Sequence, residues 1–391
     1  MPLIRRGRMP QNPFHYGGRV SGEDFWDRQA EVRELLEDVR SRQHVIVFSQ
    51  RRFGKTSLVW RVLEEAEKEG LVPVYVDLYP VTTLKEFIEA YAQSIARALS
   101  ASEKAVKLMR ELFTRLYLSM GVDASGNPQW NVGFDRTREL ESFEEVISSL
   151  ENHLQNKKKY EVVVFDEFQQ ILETDGDKTQ RRLRTAIQTH KHIAYLFVGS
   201  KKHLIHDMFS NPNLPFYRSG KLFPLGKISS AEIVKTVKDS FERAEVQIED
   251  QALEKILETA ECHPYYTQYL CHILYDVMEN RRIGPEDIPK AVEFLLKRES
   301  TAYMNTWDLL TQRQRQALTI LSETGPDESP LRTAALSRFG ISQPSVLIRA
   351  LRSLIEKDLV DKENGSYEII DIFFKQWIRR YISGLAPSAA S

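Results

Sequence analysis

The stretch from Val45 to Leu58, VIVFSQRRFGKTSL, decides the fold. Four apolar residues, Val45 to Phe48, run into a polar loop. Gly54-Lys55-Thr56 follows, and then the helix-forming run SLVWRVLEEA. A buried strand, a glycine-bearing loop and a helix start, in that order, read as a phosphate-binding loop. The backbone N–H groups of the loop and the helix N-terminus face the phosphates. In this reading Ser49, Gln50, Arg51, Arg52, Phe53, Gly54, Lys55, Thr56 and Ser57 line a nucleotide. Lys55 reaches its β and γ phosphates, and the Thr56 hydroxyl holds Mg²⁺. The general pattern has glycine where Ser49 stands, so the match departs at its first residue. The competing reading is a plain strand–turn–helix corner.

A second stretch weighs against that plain corner. Glu161 to Ile171 reads EVVVFDEFQQI, and Val162 to Phe165 is an uninterrupted apolar run. Such a run suits a strand buried on both faces of a parallel sheet. It ends in Asp166-Glu167, at the sheet edge where α/β folds bind ligands. Asp166 then meets Mg²⁺ through water or through Thr56, and Glu167 polarises an attacking water. Read alone, the pair also fits an acidic helix cap.

Composition sets the bounds. A chain of 391 residues has room for two or three domains. With 54 basic and 55 acidic residues, net charge −1, no global field steers it to nucleic acid, so such a role needs a local patch. Two cysteines, Cys262 and Cys271, are too few for a disulfide framework or a four-thiolate zinc site. A reduced cytoplasmic setting is the default, and no apolar run reaches membrane-spanning length. The basic start MPLIRRGRMPQNPF has no signal-peptide core behind it, and 1–24 reads as a flexible arm.

Strands and helices alternate from residue 45 to 225. Strands are expected over Val45–Phe48, Val72–Asp77, Val162–Phe165, Ile193–Val198 and Lys221–Leu225. Helices are expected over Phe25–Val39, Lys55–Glu69, Thr83–Leu99, Glu103–Met120, Glu141–Leu154 and Lys178–His190. Residues 121–137 form a loop or hairpin insertion, with Trp130 and Phe134 as candidate anchors. The whole, 25–228, is a three-layer α/β domain. From Ser229 the pattern turns helical: 229–308 reads as a helical lid, with Ser229 and Glu232 spaced as a capping box. Residues 309–383 give three helices and a short hairpin around Glu363-Asn364-Gly365, a winged helix–turn–helix. Residues 384–391 read as a disordered tail.

These motifs together resemble the archaeal and bacterial P-loop ATPases of the AAA+ superfamily, in the branch close to the signalling ATPases with numerous domains (STAND). Four places carry the likeness: NPFHYGGRVSGEDFWDRQAEVREL, with Phe25, Arg28, Glu31 and Leu35; FSQRRFGKTSLV, with the Arg51-Arg52 pair; VVVFDEFQQI; and ECHPYYTQYLC, where Cys262 stands in place of the usual glycine. The resemblance implies an α/β P-loop NTPase core with a helical lid and a winged helix. It also implies ATP or ADP with Mg²⁺ as ligands, and slow or partner-stimulated ATP hydrolysis.

Further site residues follow from the likeness. Ser200, after the strand IAYLFV, falls where this superfamily often has a polar residue near the γ phosphate; capping of the next helix is the alternative. Arg218, in FYRSGK, falls where the family often has arginine. In a nucleotide-dependent homo-oligomer it reaches a neighbour's phosphate; a surface ion pair is the alternative. His263 braces the nucleotide cleft or caps its own helix. Three readings of the whole chain stand open: an ATP-driven switch with an unknown protein partner, an ATP-regulated DNA-binding protein, and a nucleotide-binding scaffold without turnover. In the second, Arg349, Arg352 and Lys357 of the winged unit face phosphates, and Ser342 and Gln343 meet base edges.

Overall fold

Val45, Ile46 and Val47 are β-branched and Phe48 is aromatic, and all four are buried in a strand, as the pattern predicts. The computed structural model of the chain describes residues 11–17, 26, 28–98, 109, 112–113, 116–122, 128–134, 139–157, 159–174, 177–325, 328–341, 343–363 and 365–384. Contacts divide the chain into two compact units: residues 28–226 in one, residues 1–27 with 227–391 in the other.

In chain order the first unit runs α1 (Gln29–Arg40), β1 (Val45–Phe48), α2 (Lys55–Lys68), β2 (Val74–Asp77), α3 (Leu84–Ala98), β3 (Leu116–Val122), β4 (Pro128–Phe134) and α4 (Glu139–Lys157). It continues with β5 (Glu161–Asp166), a 3₁₀ turn (Phe168–Glu173), α5 (Asp177–Thr189), β6 (Ile193–Gly199), α6 (Lys202–Ser210) and β7 (Lys221–Pro224). Five parallel strands form one sheet in the order β2-β5-β6-β1-β7. Every residue of β1, β5 and β6 is buried, the mark of parallel strands covered on both faces. Helix α2 stops where expected. Gly70 takes φ +86°, its N–H bonds Glu67 O at 2.9 Å, and Leu71 N–H returns to Ala66 O at 3.2 Å.

The expected helix Glu103–Met120 is corrected. Leu116–Val122 is a strand, paired antiparallel with Pro128–Phe134 in the register Leu116↔Phe134 and Met120↔Trp130. Leu116 and Met120 fit a helix face, but Tyr117 and Val122 favour a strand once a partner of similar character lies opposite. The hairpin therefore begins five residues before 121. The side chains of Trp130 and Phe134, and all of 103–108, lie outside the described residues. Two boundaries also move. The first helix starts at Gln29, with Arg28 at its cap, and the second strand starts at Val74.

A half-buried histidine contributes to the pH dependence of this unit. His44, just before β1, accepts the Tyr195 N–H at Nδ1 (3.3 Å), and its ring stands edge-on to Tyr195. Burial, then the charges of Arg184 and His190, lower its pKa from 6.5 to about 4. Protonation would put a hydrogen on the accepting nitrogen and break that bond. The unfolded chain takes up its proton near pH 6.5 and the folded one only near 4, so this contribution is intact above pH 6.5 and lost on acidification towards 4. The loss is at most about 3 kcal/mol. His44→Gln should flatten the urea-unfolding midpoint between pH 6.5 and 4. An equally steep decline in the variant would refute the assignment.

The second unit runs α7 (Ser230–Arg243), β8 (Gln247–Ile248), α8 (Asp250–Ala260), α9 (Pro264–Val277), β9 (Arg282–Ile283) and α10 (Asp287–Asp308). It continues with α11 (Gln312–Glu323), α12 (Thr333–Arg338), α13 (Pro344–Glu356), β10 (Val360–Glu363), β11 (Ser366–Ile369) and α14 (Ile372–Trp377). The predicted capping box forms: Glu232 N–H donates to Ser229 Oγ at 3.2 Å, and Ser229 N–H to Glu232 Oε2 at 3.3 Å. The winged hairpin β10–β11 pairs antiparallel after three helices. The expected lid, 229–308, and winged helix, 309–383, share one apolar core, with Tyr303 of α10 5.2 Å from the Phe374 ring.

Residues 11–17, expected within a flexible arm, are anchored instead. Phe14 is buried against Phe241, Asn12 Nδ2 donates to His272 O and to Asp276 Oδ1, and Tyr16 stacks on Tyr269. Two aromatic rings in NPFHY make this segment part of the core. The rest of the arm, 1–10 and 18–24, and the tail 385–391 lie outside the described residues.

Candidate nucleotide site

The loop between β1 and α2 turns on two left-handed residues, Arg52 at φ +67° and Gly54 at φ +84°. Glycine adopts this region without steric cost, so Gly54 lets the chain enter α2. Ser49, standing where the general pattern has glycine, is not among the described residues with positive φ, and its side chain is buried. A serine suffices there. The first backbone N–H groups of α2, at Lys55, Thr56 and Ser57, lack acceptors within the helix and carry its positive dipole end. This is an anion-binding arrangement.

Lys55 is buried. Its Nζ donates to Ser49 O (3.1 Å), Ser49 Oγ (3.2 Å) and Gln50 O (2.7 Å). Burial lowers its pKa to about 8, against the pull of Glu167 and Asp166. Phe53 turns its ring inward, while Arg51 and Arg52 are exposed and Gln50, Thr56 and Ser57 are half-buried. The loop is braced by Arg28, whose Nη2 donates to Phe53 O (3.1 Å) and Gly226 O (2.9 Å). Its Nη1 pairs with Glu31 at 2.9 Å.

Strand order places the acids. β6 lies between β1 and β5, so the ends of three adjacent strands present the loop, Ser200 and Asp166-Glu167 side by side. Asp166 Oδ2 accepts from Thr56 Oγ1 at 3.2 Å and from Tyr75 OH at 2.5 Å. Asp166 Oδ1 accepts the Glu167 N–H at 2.9 Å. Burial raises the Asp166 pKa, and the hydrogen bonds from Tyr75 and Glu167 N–H oppose the rise. Glu167 is left-handed at φ +52°, which turns its side chain away from Asp166 towards β6. There Ser200 Oγ donates to Glu167 Oε2 at 2.7 Å, and Gln169 Nε2 donates to the same oxygen. Gly199 leaves room for this: a Cβ there would lie 2.7 Å from Gln169 Oε1 and 2.2 Å from Ile205.

The structure thus brings Lys55, Thr56, Asp166, Glu167 and Ser200 together. It also adds Arg28, Tyr75 and Gln169. Among the described residues no three His, Cys, Asp or Glu gather to hold a metal. A divalent ion beside Thr56 and Asp166 would take its other ligands from phosphate and water, which suits Mg²⁺.

One expected site residue of this unit lies elsewhere. Arg218, exposed and left-handed at φ +50°, precedes β7, whose first residue Lys221 pairs with Val45 at the start of β1. The phosphate loop leaves β1 at the opposite end, about 10 Å further along the strand. Arg218 sits over the Tyr217 ring at 5.2 Å and lines an open hollow with Asp38, Ser41, Gln43 and Lys221. His263 belongs to the other unit, where it is the residue before Pro264 at the start of α9 and its carbonyl accepts Thr267 N–H and Oγ1, both at 2.9 Å. Beside it Cys262 takes φ +54°, a conformation glycine adopts more easily. In the winged unit Arg349, Arg352, Lys357 and Gln343 are exposed; Ser342 lies outside the described residues.

Residues 25–270 match the family model described as an ATPase domain predominantly from Archaea, and residues 301–380 match a probable winged helix domain. Among solved structures, a Walker-type ATPase of Pyrococcus abyssi is similar at 17% identity and TM-score 0.66, over 94% of this chain and 99% of that one. The ORC2 protein of Aeropyrum pernix is similar at 16% identity and TM-score 0.53, over 91% and 95%. No curated protein matches by sequence. At these identities the likeness is one of fold: an AAA+-like P-loop core with a winged helix.

Proposed function

We propose that this chain, which belongs to the ATPase-domain family predominantly from Archaea, is a Mg²⁺-dependent ATPase that works as a slow switch of the AAA+/STAND type. The observation that carries this reading is the convergence of Lys55, Thr56, Asp166, Glu167 and Ser200 at three neighbouring strand ends. Lys55 exchanges its Ser49 and Gln50 acceptors for the β and γ phosphates of ATP. Thr56 and Asp166 would hold Mg²⁺, which would supply charge stabilisation to those phosphates. Glu167, fixed on one oxygen by Ser200 and Gln169, keeps the other to align water and take its proton. Ser200 links that carboxylate to the loop side and reports which nucleotide is bound.

Nucleotide state passes to the helical and winged units, to a homo-oligomer through Arg218, and to an unidentified protein partner in the cytoplasm. Among the described residues no helix is long and apolar enough to cross a membrane. In this reading the Arg51-Arg52 pair braces the phosphate loop or meets a neighbouring domain. A second reading, DNA contact by the winged unit, is favoured by the outward Arg349, Arg352 and Lys357. It requires affinity that falls as salt rises.

The test is a titration with a fluorescent ATP analogue, paired with phosphate release. Lys55→Ala should weaken binding by about ten- to a hundredfold, the cost of charge-assisted bonds to phosphate. Unchanged affinity would sink the reading. Binding without any phosphate release would leave only a nucleotide-binding scaffold.

A further inference from the structure

Asp166 is buried and in contact with three donors, and one of them was invisible as a site residue. A carboxylate offers about four acceptor positions. Thr56 Oγ1 and Tyr75 OH fill two on Oδ2, and Glu167 N–H fills one on Oδ1, leaving about one free. Tyr75 comes from β2, at the sheet edge, where it stands opposite Val164 and one strand across from Asp166. Its ring is held in turn by Trp60 of α2, with centroids 4.6 Å apart and planes 33° from parallel. Trp60 lies one helical turn beyond Thr56, so the helix that starts the phosphate loop also fixes the tyrosine.

We propose that Tyr75 is a positioning residue for the divalent cation: its hydroxyl, steadied by Trp60, pins Oδ2 of Asp166 beside Thr56 and leaves Oδ1 to receive a metal-bound water. The proposal rests on the nucleotide reading above. The tyrosine does not touch the metal. It narrows the rotational freedom left to Asp166, because on Oδ2 Thr56 at 3.2 Å is by itself a weaker restraint than two converging donors, and the Glu167 N–H holds only Oδ1. Loss of the hydroxyl leaves the carboxylate held by Thr56 and the Glu167 N–H alone, and the water-mediated contact is then less firmly positioned.

The experiment uses the full chain, a fluorescent non-hydrolysable ATP analogue and MgCl₂ against EDTA. Tyr75→Phe keeps the ring on Trp60 and removes only the donor. In EDTA the variant should bind the analogue within about twofold of wild type, since no metal contact is at stake. The Mg²⁺ concentration that half-saturates the metal-dependent gain should rise about tenfold or more. Trp60→Leu, which loosens the ring and keeps the hydroxyl, should move that midpoint the same way by a smaller factor. A Tyr75→Phe midpoint equal to wild type, with only the unfolding temperature changed, overturns the proposal and makes Tyr75 a packing residue. Wild-type protein that binds no analogue in either buffer overturns the nucleotide reading and the proposal with it.

Discussion

Glu167→Gln is expected to lower phosphate release by about 10² to 10⁴ while nucleotide affinity stays within a few-fold of wild type. The substitution keeps shape and volume, and the amide oxygen still accepts from Ser200, so the local fold survives. What is lost is the ability to take a proton from water. Glu167 hydrogen-bonds Ser200 and Gln169 through one oxygen and leaves the Lys55 ammonium bonded to the loop, so its largest effect is expected on the reacting water and a smaller one on ground-state binding. Single-turnover release measured beside equilibrium binding separates the two effects. The variant should also retain bound ATP through a wash that strips wild type of its phosphate. Turnover within tenfold of wild type would remove Glu167 from the chemistry.

Arg218→Ala is expected to cut turnover by about 10³-fold or more if the arginine meets a neighbour's γ phosphate, again with affinity spared. Its position makes this a sharp test. Arg218 precedes β7 at the start of β1, the far end of the sheet from its own phosphate loop, so it has no route to that loop within one chain. Yet it is exposed, on a loop held by Arg218 N–H to Phe209 O at 3.0 Å. Equal mixtures of Arg218→Ala and Lys55→Ala should recover part of the lost activity. In such a mixture an intact Lys55 pocket on one chain can face an intact Arg218 on another. Solution mass should rise above that of a monomer when a non-hydrolysable analogue is added. No recovery in any mixture, together with a mass that never rises, would exclude the arginine in trans and leave a self-contained switch.

What was legible in the sequence was whatever depends on near neighbours. Val45–Phe48 and Val162–Phe165 declare buried parallel strands through unbroken apolar runs, and Ser229 with Glu232 declares a helix start through a three-residue spacing. The phosphate loop and the acidic pair were legible for the same reason. What escaped depends on partners far along the chain. Leu116–Val122 becomes a strand only because residues 128–134 lie opposite. Tyr75 reads as an ordinary strand aromatic until the order β2-β5 puts it beside Asp166, 91 residues on. Arg218 shortly precedes the edge strand β7, but only the register of β7 on β1 reveals which end of the sheet it occupies. Phe14 joins a core formed by residues more than two hundred positions later. A signal for Tyr75 did exist: the strand VYVD alternates buried and less buried residues, which puts Tyr75 and Asp77 on a common face.

Phe168, the residue after Glu167, lies 5.1 Å from the ring of Phe216, two residues before Arg218, and both lie within about 6 Å of Phe197 and Phe209. Four fully buried or nearly buried rings at that spacing are as stiff as an organic crystal, not as compliant as a liquid. Glu167 and Arg218 therefore flank rings of one tightly packed cluster, Glu167 beside Phe168 and Arg218 two residues after Phe216. A neighbouring chain that draws on Arg218 would load a ring packed against the one beside Glu167, so a pull at the exposed end has a short, stiff route to the carboxylate.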